Sequence, residues 1–301
     1  MRFGVSLPTY PAGATIEGFT AVAQAAEPLG FVSAWATDHV ILPADHSGPY
    51  GSIFEPLATL AYLAALTSTV KLGVSVIVVP QRNGVLLAQE LATLDQLARG
   101  RLIAGVGVGW SEPEFTMLGA GSIFHERGKV LDETLQLWQH LWSEPQTPFH
   151  GRYYDLPAVA FGPLPVQPGG PPIWVGGSAE ETLRRTVRFG RAWHPVGASV
   201  EQVAAGAARL RELAQAAGKP VPEIAPRLPL FIGRRASAAP MSANPQRVLE
   251  GEPHDLIAAL RAYQEAGAGE IICHFGTPPG GSVVEQMARF QREVMPAFTG
   301  S

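Results

Sequence analysis

Eight short apolar runs alternate with eight helical patterns along this chain, and that rhythm constrains its fold more than any other feature. The runs are Phe3–Leu7, Val32–Ala36, Leu72–Val79, Leu102–Val108, Ile173–Val175, Ala192–His194, Leu228–Ile232 and Glu270–Phe275. They are apolar almost without interruption, as strands buried on both faces of a parallel sheet are. Between them, helical spacing predicts helices at 15–29, 54–68, 84–99, 125–143, 179–190, 199–217, 253–266 and 282–297. In the first of these, Ile16, Phe19, Val22, Ala23 and Ala26 recur at the helical period behind Thr15, a residue type suited to an N-cap. In the fourth, Val130, Leu131, Thr134, Leu137, Trp138 and Leu141 do the same. Gly30, Gly100, Gly190, Gly218 and Gly267 stand where helices should end.

Strict alternation of this kind predicts one α/β domain over residues 1–301, a closed parallel (β/α)8 TIM barrel. The chain's 301 residues suit a barrel of about 250 plus insertions. An open doubly wound sheet would need fewer units and a glycine cradle after the first strand, which here runs into LPTYP. Two stretches break the rhythm. Residues 144–172, rich in proline, glycine and aromatics, are expected to carry a small hairpin between helix four and strand five. Residues 233–252 are expected to form a mobile loop.

Composition narrows the function classes. The net charge is −4, with 22 basic and 26 acidic residues in no long block of one sign, so no nucleic-acid footprint is visible. Cys273 is the single cysteine, which points to a reducing cytoplasm. The opening MRFGVSLPTY is too short and polar for a signal peptide, and no apolar run reaches the ~18 residues of a membrane helix.

In a barrel the chemistry belongs at the C-terminal ends of the strands. Strand two ends in Asp38-His39, and a histidine can give or take a proton near neutral pH. Strand three passes through Gly73-Val74-Ser75-Val76 to Arg82 and Asn83, which could meet a phosphate or a substrate. Strand four ends in GVGVGW, residues 105–110, followed by Glu112 and Glu114. A dinucleotide fingerprint would need a helix directly after it; the three glycines read better as room for a flat ring, with Trp110 at the ring's edge. Gly176-Gly177-Ser178 opens a helix, where free amides favour an anion such as a phosphate. His194 and His274 read as satisfied strand-end histidines. Each motif has a plainer reading as cap or packing. There is no His-x-His on strand one for a metal and no GxSxG nucleophile elbow.

Taken together, LGVSVIVVPQRNG, LLAQELATLDQLARGRLIAGVGVGW, FHERGKVLDETLQLWQHLW, FHGRYYDL and PPIWVGGSAE resemble the bacterial-luciferase-like oxidoreductase family, especially its deazaflavin (coenzyme F420) branch. The resemblance runs in register over residues 1–195 and more weakly to 275. It implies an oxidoreductase moving a hydride to or from coenzyme F420 on a small organic substrate. His39 and Asp38 would be the catalytic pair. Asp38, Val74, Ser75, Val76, Gly107, Gly109 and Trp110 would hold the ring, and Gly176, Gly177 and Ser178 the phosphate. It also implies a cis peptide at Ser75–Val76. Two alternatives stay open: an FMN-dependent monooxygenase using O2, and a non-catalytic flavin-binding barrel. A sugar-phosphate dehydrogenase of the family uses the matching histidine as a base and has a glutamate where this chain has Trp110, which argues against the same substrate. Related barrels pair through helices two and three, and PLATLAYLAAL in helix two is apolar all round. A homodimer is therefore expected, and a sedimenting mass near a single chain's 32.0 kDa at micromolar concentration would contradict it.

Overall fold

The computed structural model describes residues 1–10, 14–44, 50–234, 248–277 and 281–298. Its strands are β1 (Arg2–Ser6), β2 (Ser33–Ala36), β3 (Lys71–Val74), β4 (Ile77–Val78), β5 (Leu102–Gly107), β6 (Phe149–His150), β7 (Asp155–Leu156), β8 (Ile173–Gly176), β9 (Ala192–His194), β10 (Glu223–Ile224), β11 (Arg227–Ile232), β12 (Leu249–Gly251) and β13 (Glu270–Phe275). Its α-helices are α1 (Ile16–Ala26), α2 (Pro56–Leu66), α3 (Gly84–Leu97), α4 (Glu112–Met117), α5 (Arg127–Ser143), α6 (Glu180–Phe189), α7 (Val200–Ala217), α8 (Pro253–Glu265) and α9 (Val283–Glu293).

The main sheet is parallel and runs β10-β9-β8-β5-β3-β2-β1-β13-β11-β12, with β4 also on β5. Two pairs of these strands are each the halves of one interrupted strand. β3 and β4 flank Ser75 and Val76, and β10 and β11 flank Ala225 and Pro226. The second interruption closes the barrel. The amides of Ala225 and Arg227 donate to Trp193 O and Pro195 O on the β9 side, while Ile224 O and Pro226 O accept from Gly269 and Ile272 on the β13 side. A hydrogen-bonded path therefore runs all the way round, as the alternation predicts. The antiparallel β6–β7 pair is the expected hairpin of the 144–172 stretch. Of the 233–252 stretch, residues 235–247 lie outside the described residues, and β12 adds to the sheet edge beside β11.

Packing follows from the period-2 alternation of each strand. One cluster of Trp35, Ile103, Trp174, Ala192, Ala225 and Ile272 fills the barrel interior. A larger one lies between strands and helices, with Leu60, Leu63, Leu87, Leu91 and Trp138 fully buried. The helix ends behave largely as their sequences suggest. Thr15 accepts from Gly18 N at 3.0 Å, and Gly218 ends α7 in the left-handed region at φ 62°. Gly190 ends α6 at φ −92°, so there the glycine is not used for left-handed freedom. Among the described residues no helix is long and apolar enough to cross a membrane, and no group of three His, Cys, Asp or Glu could hold a metal.

Candidate active site

β2 delivers Thr37, Asp38 and His39 to the C-terminal mouth, all buried. The Asp38 carboxylate is engaged at both oxygens. Oδ2 accepts from Val78 N at 2.8 Å and Oδ1 from Arg82 Nη2 at 2.8 Å, and Arg82 reaches on to Glu55 at 3.1 Å. Asp38 thus straps the end of β2 to β4, which makes it a positioning residue in this arrangement. Arg82, whose role the sequence left between phosphate, substrate and packing, serves that strap. Asn83 caps α3, accepting from Val85 N and Leu86 N.

His39 is held by a residue whose role sequence reasoning underrated. Its Nδ1 lies 3.0 Å from Glu114 Oε2, while Glu114 Oε1 accepts from Val40 N at 2.8 Å. Glu114 comes from α4, a helix of six residues that periodicity did not reveal. A signal was present: Ser111-Glu112-Pro113-Glu114 has the Ser-x-x-Glu spacing of a helix start, and Ser111 Oγ does accept from Glu114 N at 3.3 Å. Burial would raise the Glu114 pKa, but the hydrogen bonds from His39 and the Val40 amide outweigh it and hold the pKa below the usual 4.5. The carboxylate is therefore ionised at neutral pH, His39 Nδ1–H donates to it, and Nε2 is the nitrogen without a partner among the described residues. The ring packs on Tyr50 at 4.6 Å and meets the edge of Trp110 at 5.6 Å. Trp110 is 60% exposed, on the rim.

A lowered folded pKa contributes stability that is present above pH 4.5 and is lost as pH falls through the folded value. The acid limb of a melting-temperature profile below pH 4.5 should therefore flatten in Glu114→Gln; an unchanged limb would show that Glu114 does not contribute.

The peptide between Ser75 and Val76 is cis. The Ser75 hydroxyl points into the barrel and bonds to His194 Nε2 at 2.7 Å, and His194 Nδ1 bonds to Ala225 O at 2.6 Å. That carbonyl only accepts, so Nδ1 carries the proton and Ser75 donates to Nε2. Burial pushes the His194 pKa down to about 4, so it stays neutral, and it stacks on Trp35 at 5.0 Å. His194 is a satisfied core histidine, as its sequence context suggested.

On their Cβ side the glycines of GVGVGW make room for the chain itself. A Cβ at Gly105 would stand 1.8 Å from Val74 O, at Gly107 2.5 Å from Val76 Cγ2, and at Gly109 2.6 Å from Val78 Cγ1. Val76 also fills the space at Gly176, where a Cβ would come within 2.8 Å of it. The cis segment is therefore clasped between β5 and β8. Gly177 and Ser178 are exposed ahead of α6, Gly177 has φ +116°, and Ala179 provides no side-chain cap. Its amides remain suited to an anion. Glu180 in the first turn is drawn to Arg209 and Arg184, each at 2.7 Å. Glu112 lies apart, exposed, 3.7 Å from His125.

The closed barrel with a carboxylate-held histidine at the C-terminal mouth defines a (β/α)8 protein with an enzyme-type site. The chain matches the luciferase-like monooxygenase family over residues 1–270 and belongs to it. Among similar proteins, an F420-dependent glucose-6-phosphate dehydrogenase of Kineococcus radiotolerans is 28% identical over 308 residues, covering 90% of each chain. Protein y4vJ of Sinorhizobium fredii is 32% identical over 164 residues, 54% of this chain and 44% of its own length. Similar solved structures include an F420-dependent secondary alcohol dehydrogenase with an F420–acetone adduct (TM-score 0.82, 18% identity, 98% of each chain). Another is the monooxygenase RslO1 from Streptomyces bottropensis (TM-score 0.83, 23% identity, 99% of this chain and 100% of that one).

Proposed function

We propose that this protein is an oxidoreductase that uses coenzyme F420 to move a hydride to or from a small organic substrate, with His39 handling the proton. The observation that carries the reading is the His39–Glu114 pair. An ionised carboxylate on Nδ1 fixes the tautomer, leaves Nε2 as the acceptor, and stabilises the imidazolium formed when Nε2 takes a proton. That is the equipment for taking a proton from a substrate hydroxyl, or returning it to a carbonyl oxygen. When bound, the deazaflavin supplies the carbon that accepts or gives the hydride.

The residues present suit such a group. Backbone at the cis Ser75–Val76 segment, with Val74, would back the ring, Trp110 would cover its edge, and Gly176, Gly177 and Ser178 at the uncapped start of α6 would take a phosphate. Asp38 contributes by fixing the β2 end that carries His39. The relative from Kineococcus, alike over nine-tenths of both chains, supports the deazaflavin over FMN. Its sugar phosphate is not carried over, because the family resemblance implies a glutamate where this chain has Trp110. The test is the affinity for the two cofactors: F420 should bind about tenfold or more tightly than FMN.

We also propose a homodimer through α2 and α3. Tyr62, Leu66, Leu86 and Leu97 on these helices are between 37% and 54% exposed, an apolar outer face of the kind a second subunit covers.

A further inference from the structure

Among the strand ends at the barrel mouth lies a buried cation that the proposed chemistry does not yet use. Arg227, at the start of β11, is 5% exposed. Its Nη1 donates to Thr37 Oγ1 at 3.0 Å and its Nη2 to the Tyr10 hydroxyl. Two further contacts are long: Nη1 to Ser75 O at 3.4 Å and Nη2 to His274 Nδ1 at 3.3 Å. These partners sit at the ends of β1, β2, β3 and β13, so the guanidinium lies centrally under the mouth. Every partner is neutral. Burial and the guanidinium itself push the His274 pKa down to about 3, so that ring does not charge at neutral pH.

The other buried arginine among the described residues, Arg185, is paired with Asp132, and the half-buried Arg82 with Asp38 and Glu55. Among the described residues no carboxylate pairs with Arg227. Hydrogen bonds to neutral oxygens satisfy its donors without cancelling its charge, and burying an unpaired charge is costly. The two short bonds fix the plane of the fork, while the two long ones leave one N–H on each Nη available to a stronger acceptor. Side-by-side N–H groups of this kind match a carboxylate. Tyr10 and Thr37 both accept from the guanidinium, and the Tyr10 hydroxyl also shares a side-chain hydrogen bond with Tyr50. Tyr10 packs on Tyr50 at 5.0 Å, and Tyr50 packs on His39, so a single ring links this polar set to the proton-transferring histidine.

We propose that Arg227, with the Tyr10 and Thr37 hydroxyls it orients, is the subsite for the carboxylate of a small organic-acid substrate. The assignment rests on His39 as the proton-handling group, since it makes the reacting hydroxyl or carbonyl a near neighbour of the acid. Calorimetric titration of the cofactor-free protein tests it with pyruvate as the carboxylate probe and acetone as its uncharged counterpart, F420 binding being measured in parallel. Pyruvate should bind at least about tenfold more tightly than acetone, and Arg227→Gln should erase that preference while F420 affinity stays within about threefold. Tyr10→Phe, which keeps the ring and the guanidinium, should weaken pyruvate binding about threefold or more, and it decides the matter if the Gln variant does not fold. The proposal is overturned if wild-type protein does not prefer pyruvate, or if the folded variants bind it as wild type does. Failure of wild-type protein to bind F420 would instead sink the cofactor assignment, leaving the pyruvate preference to be read on its own.

Discussion

His39→Ala is expected to lose at least about a hundredfold in hydride transfer per bound cofactor while changing cofactor affinity by no more than about tenfold. The asymmetry follows from what the side chain touches. His39 donates from Nδ1 to Glu114 and keeps Nε2 free, so removing it deletes the proton acceptor. The parts suited to hold a cofactor lie elsewhere, in the cis Ser75–Val76 segment and the uncapped start of α6. Asp38→Asn should be milder in turnover, because Asp38 acts through the strap to Val78 and Arg82. If His39 were packing alone, its loss would lower the melting temperature and leave the rate per folded molecule unchanged. Stopped-flow hydride transfer normalised to bound cofactor separates the two. Near wild-type rates in His39→Ala would move the proton transfer to another group.

Gly105→Ala should be the most damaging single methyl in the protein's barrel wall. The added Cβ would stand 1.8 Å from Val74 O and 3.0 Å from Val74 C, both backbone atoms of the neighbouring strand. A flexible side chain could swing away; this carbonyl cannot without parting β3 from β5 at Leu72↔Leu102 and Gly73↔Ile103. Overpacking of a well-filled core costs about 1–3 kcal/mol and more where nothing yields, so a loss of about 3 kcal/mol or greater is expected. In a chain of this size that is on the order of 6–12 °C in melting temperature. Gly269→Ala, whose Cβ would meet nothing within 4 Å, is the control and should stay within about 0.5 kcal/mol. Equal melting temperatures for the two variants would show that β3 and β5 are not clasped as described.

The barrel was legible because parallel strands buried on both faces must be apolar throughout, and helices between them must show a 3.6 period. What escaped was short or broken. α4, from Glu112 to Met117, spans too few turns to show a period and announces itself only through Ser111 and Glu114. A single serine in the otherwise apolar Leu72–Val79 could not reveal the cis interruption at Ser75–Val76, which only the family resemblance suggested. The seventh barrel strand begins at Glu223, earlier than expected, because a polar residue and Pro226 hide its first half. The site itself was partly legible. Asp38 and His39 stand at a strand end as expected, but Glu114 pairs with His39 across 75 residues of sequence, a distance no local pattern spans. Arg227 offered no motif at all. Its interest comes from burial without a carboxylate, a property of the assembled barrel alone.

The central claim, a deazaflavin oxidoreductase built on the His39–Glu114 pair, is tested most directly by equilibrium binding. Purified protein freed of cofactor is titrated separately with F420 and with FMN, and the dissociation constants are read from fluorescence quenching. Binding of F420 tighter by about tenfold or more, a difference of about 1.4 kcal/mol, is the result predicted. Equal affinities, or tighter binding of FMN, would contradict the claim and turn the same barrel mouth over to oxygen-dependent flavin chemistry.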